Sequence, residues 1–163
     1  LVAGELSAFP VWFSHTTTWT RIGFYVGTGS GSATEKVRLG LYANGADNLP
    51  GALIEDFGEA SLQSTGEVEL TISRELSANT LYWIAVITND PGTTTQVNLT
   101  TGSNITAPST GWAIGYSSFA EIGDAADGLM WYRTFSYAAL PNPFGTPDGI
   151  QFSNIPYIWL RKV

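Results

Sequence analysis

The chain has 163 residues, one ordinary domain's length, enough to bury roughly two-thirds of its unfolded surface. Hydrophobic residues make up 44% of it but charged residues only 13%, about half of the roughly 25% usual in globular chains. A net charge of −7 argues against the clustered basic surface that nucleic acids or anionic membranes require, and the lack of cysteine excludes disulfides, thiolate nucleophiles and cysteine-ligated zinc.

Hydroxyl side chains fill the polar gap, with 19 Thr and 14 Ser against two Lys. Thr suits exposed strand faces and Ser suits turns, so the composition leans toward β-structure. The first clear strand is 19–26, where Ile22, Phe24 and Val26 share one face at period 2. Residues 27–32, Gly-Thr-Gly-Ser-Gly-Ser, read as a flexible connector. Residues 36–42 set Val37, Leu39 and Leu41 against Lys36, Arg38 and Tyr42. Asn44-Gly45 favours a tight turn, and Leu49-Pro50-Gly51 reads as another. Residues 53–60 are a weaker strand. The overlapping 55–62 has poor helical periodicity and Gly58 inside it, so no helix is expected.

In residues 67–73, Val68, Leu70 and Ile72 face inward and Glu67, Glu69 and Thr71 outward. Residues 81–87 are apolar on both faces, which predicts a central strand covered on both sides, with Trp83 in the core. At seven residues this longest apolar run is far too short to cross a bilayer as a helix. Later strands are expected at 95–100, 112–116, 129–135 and 157–163. Between them lie irregular stretches at 101–110, 117–128 and 136–149, the last with Pro141, Pro143 and Pro147. About nine short strands joined by Gly- and Pro-rich turns imply an all-β antiparallel sandwich or barrel. No linker or repeat divides the chain, so 1–163 is expected to be one domain. Because it starts at Leu1 rather than Met, it is expected to be the C-terminal part of a longer protein.

Catalytic motifs are missing. There is one histidine, His15, and no G-x-S-x-G elbow. Ser14 precedes His15, but neighbours along a strand point to opposite faces and do not pair. Gly27, Gly29 and Gly31 lack the following helix and Gly-Lys pair of a phosphate loop. Calcium needs only oxygen ligands, and the loops at 44–48 and 124–128 offer Asp47, Asp124 and Asp127, without the spacing of an EF-hand. Local turn hydrogen bonds account for the same residues, so no metal or other cofactor is expected. A glycosidase needs two carboxyl groups about 5 to 9.5 Å apart, whereas acids such as Glu67 and Glu69 sit outward, where burial does not tune them. The chain is expected not to be an enzyme. Asn98 and Asn104 open Asn-x-Thr sequons, relevant only in a eukaryotic secretory protein.

The aromatic residues are the most informative: six Trp, seven Tyr and eight Phe. Trp112, Tyr116, Trp131, Tyr132, Tyr137 and Phe144 alternate with small or polar residues or flank the long loops. An exposed Trp or Tyr offers a rigid flat surface on which a sugar ring stacks. Asp124 and Asp127 would bind its hydroxyls, so the candidate glycan site is Trp112, Tyr116, Asp124, Asp127, Trp131 and Tyr132. The same aromatics suit a subunit interface or plain core packing.

Val37-Arg38-Leu39-Gly40-Leu41-Tyr42 followed by Leu49-Pro50-Gly51-Ala52-Leu53-Ile54, and Leu76-Ser77-Ala78-Asn79-Thr80-Leu81-Tyr82-Trp83-Ile84-Ala85-Val86, resemble jelly-roll modules of tailed-bacteriophage virion proteins and bacterial surface proteins. Those modules usually carry Gly where this chain has Asn79, a residue that tolerates the same positive-φ turn. Ile155-Pro156-Tyr157-Ile158-Trp159-Leu160-Arg161-Lys162-Val163 is similar to the last strand of phage fibre and head-fibre proteins. The resemblance implies a two-sheet jelly roll and a non-enzymatic virion surface domain, a fibre or capsid decoration that attaches to host-surface polysaccharide. Its partners would be other virion subunits, a homotrimer being one such arrangement, with no nucleic acid and no membrane. Other readings are a structural cement or oligomerisation domain of the particle, and a carbohydrate-binding module of a secreted or cell-surface glycan-active enzyme.

Overall fold

The computed structural model describes residues 1–90, 130–151 and 158–162. They contain nine strands: β1 (Glu5–Trp12), β2 (Thr17–Val26), β3 (Lys36–Asn44), β4 (Pro50–Ser61), β5 (Gly66–Leu76), β6 (Leu81–Thr88), β7 (Met130–Thr134), β8 (Gly149–Gln151) and β9 (Ile158–Arg161). The strands expected at 95–100 and 112–116 lie outside the described residues.

Every pairing is antiparallel, in a six-stranded sheet of order β4-β3-β6-β1-β7-β8 and a three-stranded sheet of order β5-β2-β9. β1 pairs with β6, β2 with β5 and β3 with β4. The chain is thus one long hairpin folded at the β3–β4 turn and rolled so that successive pairs alternate between the two sheets. Rolling brings β3 against β6. That nested pairing is the jelly roll.

Alternation fixes which residues fill the space between the sheets. Ile22, Phe24 and Val26 of β2 and Ile72 of β5 meet Val37, Leu39 and Leu41 of β3 and Ile84 and Val86 of β6, all buried. β6 lies between β3 and β1 and is covered on both sides, as its unbroken apolar run requires. Asn79, just before β6, has φ 55°, the left-handed turn conformation expected there.

Three local expectations are corrected, and the strand expected at 53–60 is present but longer. Residues 27–32 are not free: Ser30 N donates to Leu62 O (2.9 Å), Gly31 N to Gln63 O (3.0 Å) and Gly29 N to Thr65 Oγ1 (3.0 Å). The segment carries the chain from one sheet to the other and is pinned to the β4–β5 turn. Pro50 and Gly51 begin β4 rather than forming a turn, because the 3-10 turn at Ala46–Asn48 already reverses the chain. β4 runs on to Ser61, and Gly58 (φ 88°) serves a bulge within it, where Leu39 pairs with Gly58 but Gly40 pairs with Asp56. β1 has no counterpart among the expected strands. Pro10 sits within it, and β7 pairs only with Glu5–Ala8, so the missing N–H falls beyond that ladder.

The second face of the large sheet is also covered. There Leu6, Ala8, Tyr42, Trp83, Ala85 and Ile87 pack with Leu140 and Phe144, which belong to the irregular segment 135–149. This strap is tied down by polar contacts: Leu140 N donates to Asp56 Oδ2 (3.0 Å), Leu53 N to Asn142 Oδ1 (3.0 Å), Phe144 N to Gly51 O (2.9 Å) and Tyr42 Oη to Pro141 O (2.8 Å). Asp56 is itself held by Arg38 Nε (2.8 Å), which links the strap to β3 and β4. Burial, followed by the nearby Asp56 charge, pushes the Tyr42 hydroxyl pKa well above its ordinary value.

The return of the strap is fixed by Asp148, whose Oδ2 accepts from Thr134 N (2.6 Å) and whose own N–H donates to Tyr132 O (2.8 Å). The Thr134 hydrogen bond holds the exposed Asp148 carboxyl below its usual pKa. A depressed folded pKa gives stability present above the unfolded pKa of about 3.9 and lost as pH falls through the folded value. The difference in urea midpoint between wild type and Asp148→Asn should therefore shrink as pH falls from about 5 to 2. A difference that grows with acid would contradict this role.

Candidate functional site

Of the six residues proposed for glycan binding, Trp112, Tyr116, Asp124 and Asp127 lie outside the described residues. Trp131 and Tyr132 are adjacent on β7 and therefore point to opposite faces of the large sheet. Trp131 pairs with Ala8 and joins the half-buried rim of the cluster under the strap. Tyr132 pairs with Ser7 on the other face, and its ring lies next to Gly149. The two rings do not form one platform. Phe144, also set among the loop aromatics, is fully buried edge-to-face with Tyr42, centroids 5.3 Å apart. Tyr137 is half-buried beside Glu59, and burial first, then that charge, raise its hydroxyl pKa.

A different constellation stands on the small sheet. The residues opposite its core face are Arg21, Gly23 and Tyr25 of β2, Glu67, Glu69 and Thr71 of β5, and Trp159 and Arg161 of β9, as the registers place them. Gly23 is the cross-strand neighbour of both Trp159 and Glu69. A Cβ on Gly23 would lie 2.8 Å from the Trp159 ring atoms Cε2 and Nε1, so the indole rests directly on the glycine backbone. No other residue leaves room for it. Trp159 Nε1 donates to Glu69 Oε1 (3.3 Å), and Arg161 Nη2 pairs with Glu69 Oε2 (2.5 Å). One carboxylate thus orients both the ring and the guanidinium.

Next to this platform runs an open groove of about 470 Å³, lined by Ser61, Gln63, Ser64, Thr65, Glu67, Val68 and Glu69. Glu69 belongs to both, so the half-buried indole adjoins a trough of hydroxyl, amide and carboxylate groups. Tyr25 extends the platform on the same face, two residues along β2 from Gly23 or roughly 7 Å at strand rise. Such a surface can stack a ring through its C–H face and accept or donate hydrogen bonds around the ring's edge.

No family model matches the chain, and no curated protein and no solved structure matches it. What the domain binds has to be read from its own side chains.

Sequence reasoning singles out neither Trp159 nor Gly23. The signal was present in part, because alternation through Ile158, Trp159, Leu160 and Arg161 sets the Trp on the same face as the Arg. The glycine beneath the indole belongs to a strand far away in the chain, and only pairing reveals it. Ser14 and His15 also depart from expectation. β1 ends at Trp12, the two residues lie in a bend, and Ser14 Oγ is 2.8 Å from His15 Nδ1. The strand argument against their pairing does not apply there. Both side chains are exposed, and among the described residues no carboxylate bonds to the ring, so the contact reads as local to the bend. Asp47, offered above for calcium, is exposed in the 3-10 turn with φ 55°. Among the described residues no three acidic or histidine side chains converge as metal ligands.

Proposed function

We propose that this domain is a non-enzymatic glycan-binding module of a surface structure, with Trp159 as the stacking platform. The observation that carries the reading is the indole seated on Gly23 and fixed by Glu69, beside a hydroxyl-lined groove. A half-buried Trp held in one orientation loses little freedom when a ring stacks on it, which favours affinity. Tyr25, Arg161 and the groove side chains would supply the surrounding contacts. The setting on a virion, as a fibre or capsid decoration adhering to host-surface polysaccharide, is supported by the sequence resemblance at residues 37–54 and 76–86.

The test is glycan-array and calorimetric binding by wild type, Trp159→Ala and Trp131→Ala, with far-UV circular dichroism as the fold control. Trp159→Ala should lose roughly tenfold or more in affinity, about 1.4 kcal/mol per decade, while Trp131→Ala changes little. Loss with Trp131→Ala alone would move the site to the strap side of the molecule. Binding by none of the three proteins, together with a concentration-independent trimer in sedimentation, would instead favour the structural role.

A further inference from the structure

We infer that the groove beside Trp159 selects neutral oligosaccharides and rejects those bearing carboxylates. The inference rests on the glycan-binding reading above and deepens it from the charges on that face. Two carboxylates line the groove, Glu67 and Glu69. They are not equivalent. Glu69 is neutralised by Arg161 at 2.5 Å and also accepts from Trp159 Nε1. Glu67 has no ion pair among the described residues, and its cross-strand neighbour is Tyr25, which carries no charge to offset it.

The cations on this face stand elsewhere. Arg161 is engaged by Glu69, and Arg21 pairs in register with Thr71, beyond the groove's last lining residue, Glu69. Every other polar group lining the groove is a hydroxyl or an amide, able to bond sugar hydroxyls but unable to balance an anion. A sugar ring stacked on Trp159 and extending toward the β4–β5 turn would therefore meet one unmatched negative charge. The net charge of −7 adds to the repulsion at long range. At low ionic strength a carboxylate placed a few ångströms from Glu67 would be disfavoured by roughly tenfold, and by less in about 1 M salt, where the Debye length is near 3 Å.

The experiment compares neutral hexose oligomers with their uronate counterparts, which differ only in a carboxylate at C6. Affinities are measured by calorimetry at low and high salt for wild type and Glu67→Gln. Wild type should bind the neutral oligomer at least tenfold more tightly at low salt, with the gap narrowing at high salt. Glu67→Gln should close most of the gap between the neutral and uronate forms at low salt, whatever it does to the neutral form alone, since Gln keeps the shape and one acceptor without the charge. Equal binding of neutral and uronate forms by wild type overturns the inference while leaving glycan binding intact. An unchanged gap in Glu67→Gln also overturns it, because another group would then be responsible. Failure of both forms to bind overturns the glycan reading itself, and this inference with it.

Discussion

Replacing Trp83 by Ala should lower the unfolding free energy by about 3–5 kcal/mol, the largest single loss expected in this domain. The ring is 0% exposed and lies on β6, the strand that pairs with both β1 and β3. Its cross-strand neighbours are Tyr42 on β3 and Pro10 on β1, so truncation opens a cavity that three strands would have to close together. The indole Nε1 donates to Asn44 Oδ1 at 3.0 Å, and that acceptor would lose its partner at the β3–β4 turn. The measurement is urea unfolding at fixed pH, where the midpoint should fall with the slope unchanged. Melting should drop by roughly 10 °C, taking about 2–4 °C per kcal/mol for a chain of this size. A loss below about 1 kcal/mol would mean that the face under the strap is loosely packed, contrary to the burial described.

Phe144→Ala should produce the second-largest effect, about 3 kcal/mol, with a distinct signature. Phe144 is the fully buried anchor of the strap, edge-to-face with Tyr42. Its carbonyl accepts from Arg133 of β7, and its N–H donates to Gly51 O of β4, so one residue clips the strap to both sides of the large sheet. Without the ring, Leu140 and the polar ties at Asp56 and Asn142 are left to hold the segment. Amide exchange in residues 135–149 should then rise before global unfolding, while the amides of β2 and β5 on the opposite sheet keep their protection. Uniform loss of protection across both sheets would show instead that the strap and the sandwich unfold as one unit. A Tyr42→Leu, Phe144→Ala cycle should return a coupling of about 0.5–1.5 kcal/mol for the aromatic pair.

Much of the sandwich was legible in the chain because period-2 alternation is local. The inward sets of β2, β3 and β5, the two-sided burial of β6 and the core position of Trp83 follow from spacing alone, and the left-handed turn at Asn79 follows from residue type. β1 was not legible. Its two faces pack into different clusters, Leu6 and Ala8 under the strap and Phe9 and Val11 against the inter-sheet core, which erases alternation, and Pro10 argues against a strand unless the end of β7 is known. The pair Trp131 and Tyr132 shows the same limit from the other side. Their aromatic character was plain, but a strand sends neighbours to opposite faces, and no sequence count says which face stays open.

By itself the sequence determined that this is an all-β chain of low charge and high aromatic content, and which residues of its regular strands face inward. Only the tertiary structure decided that segment 135–149 closes the outer face of the large sheet, and that Trp159 lies on Gly23 with Glu69 and Arg161 beside it. The physical reason is that alternation assigns a residue to a face, whereas hydrogen-bonded register between distant strands decides which faces and which side chains meet.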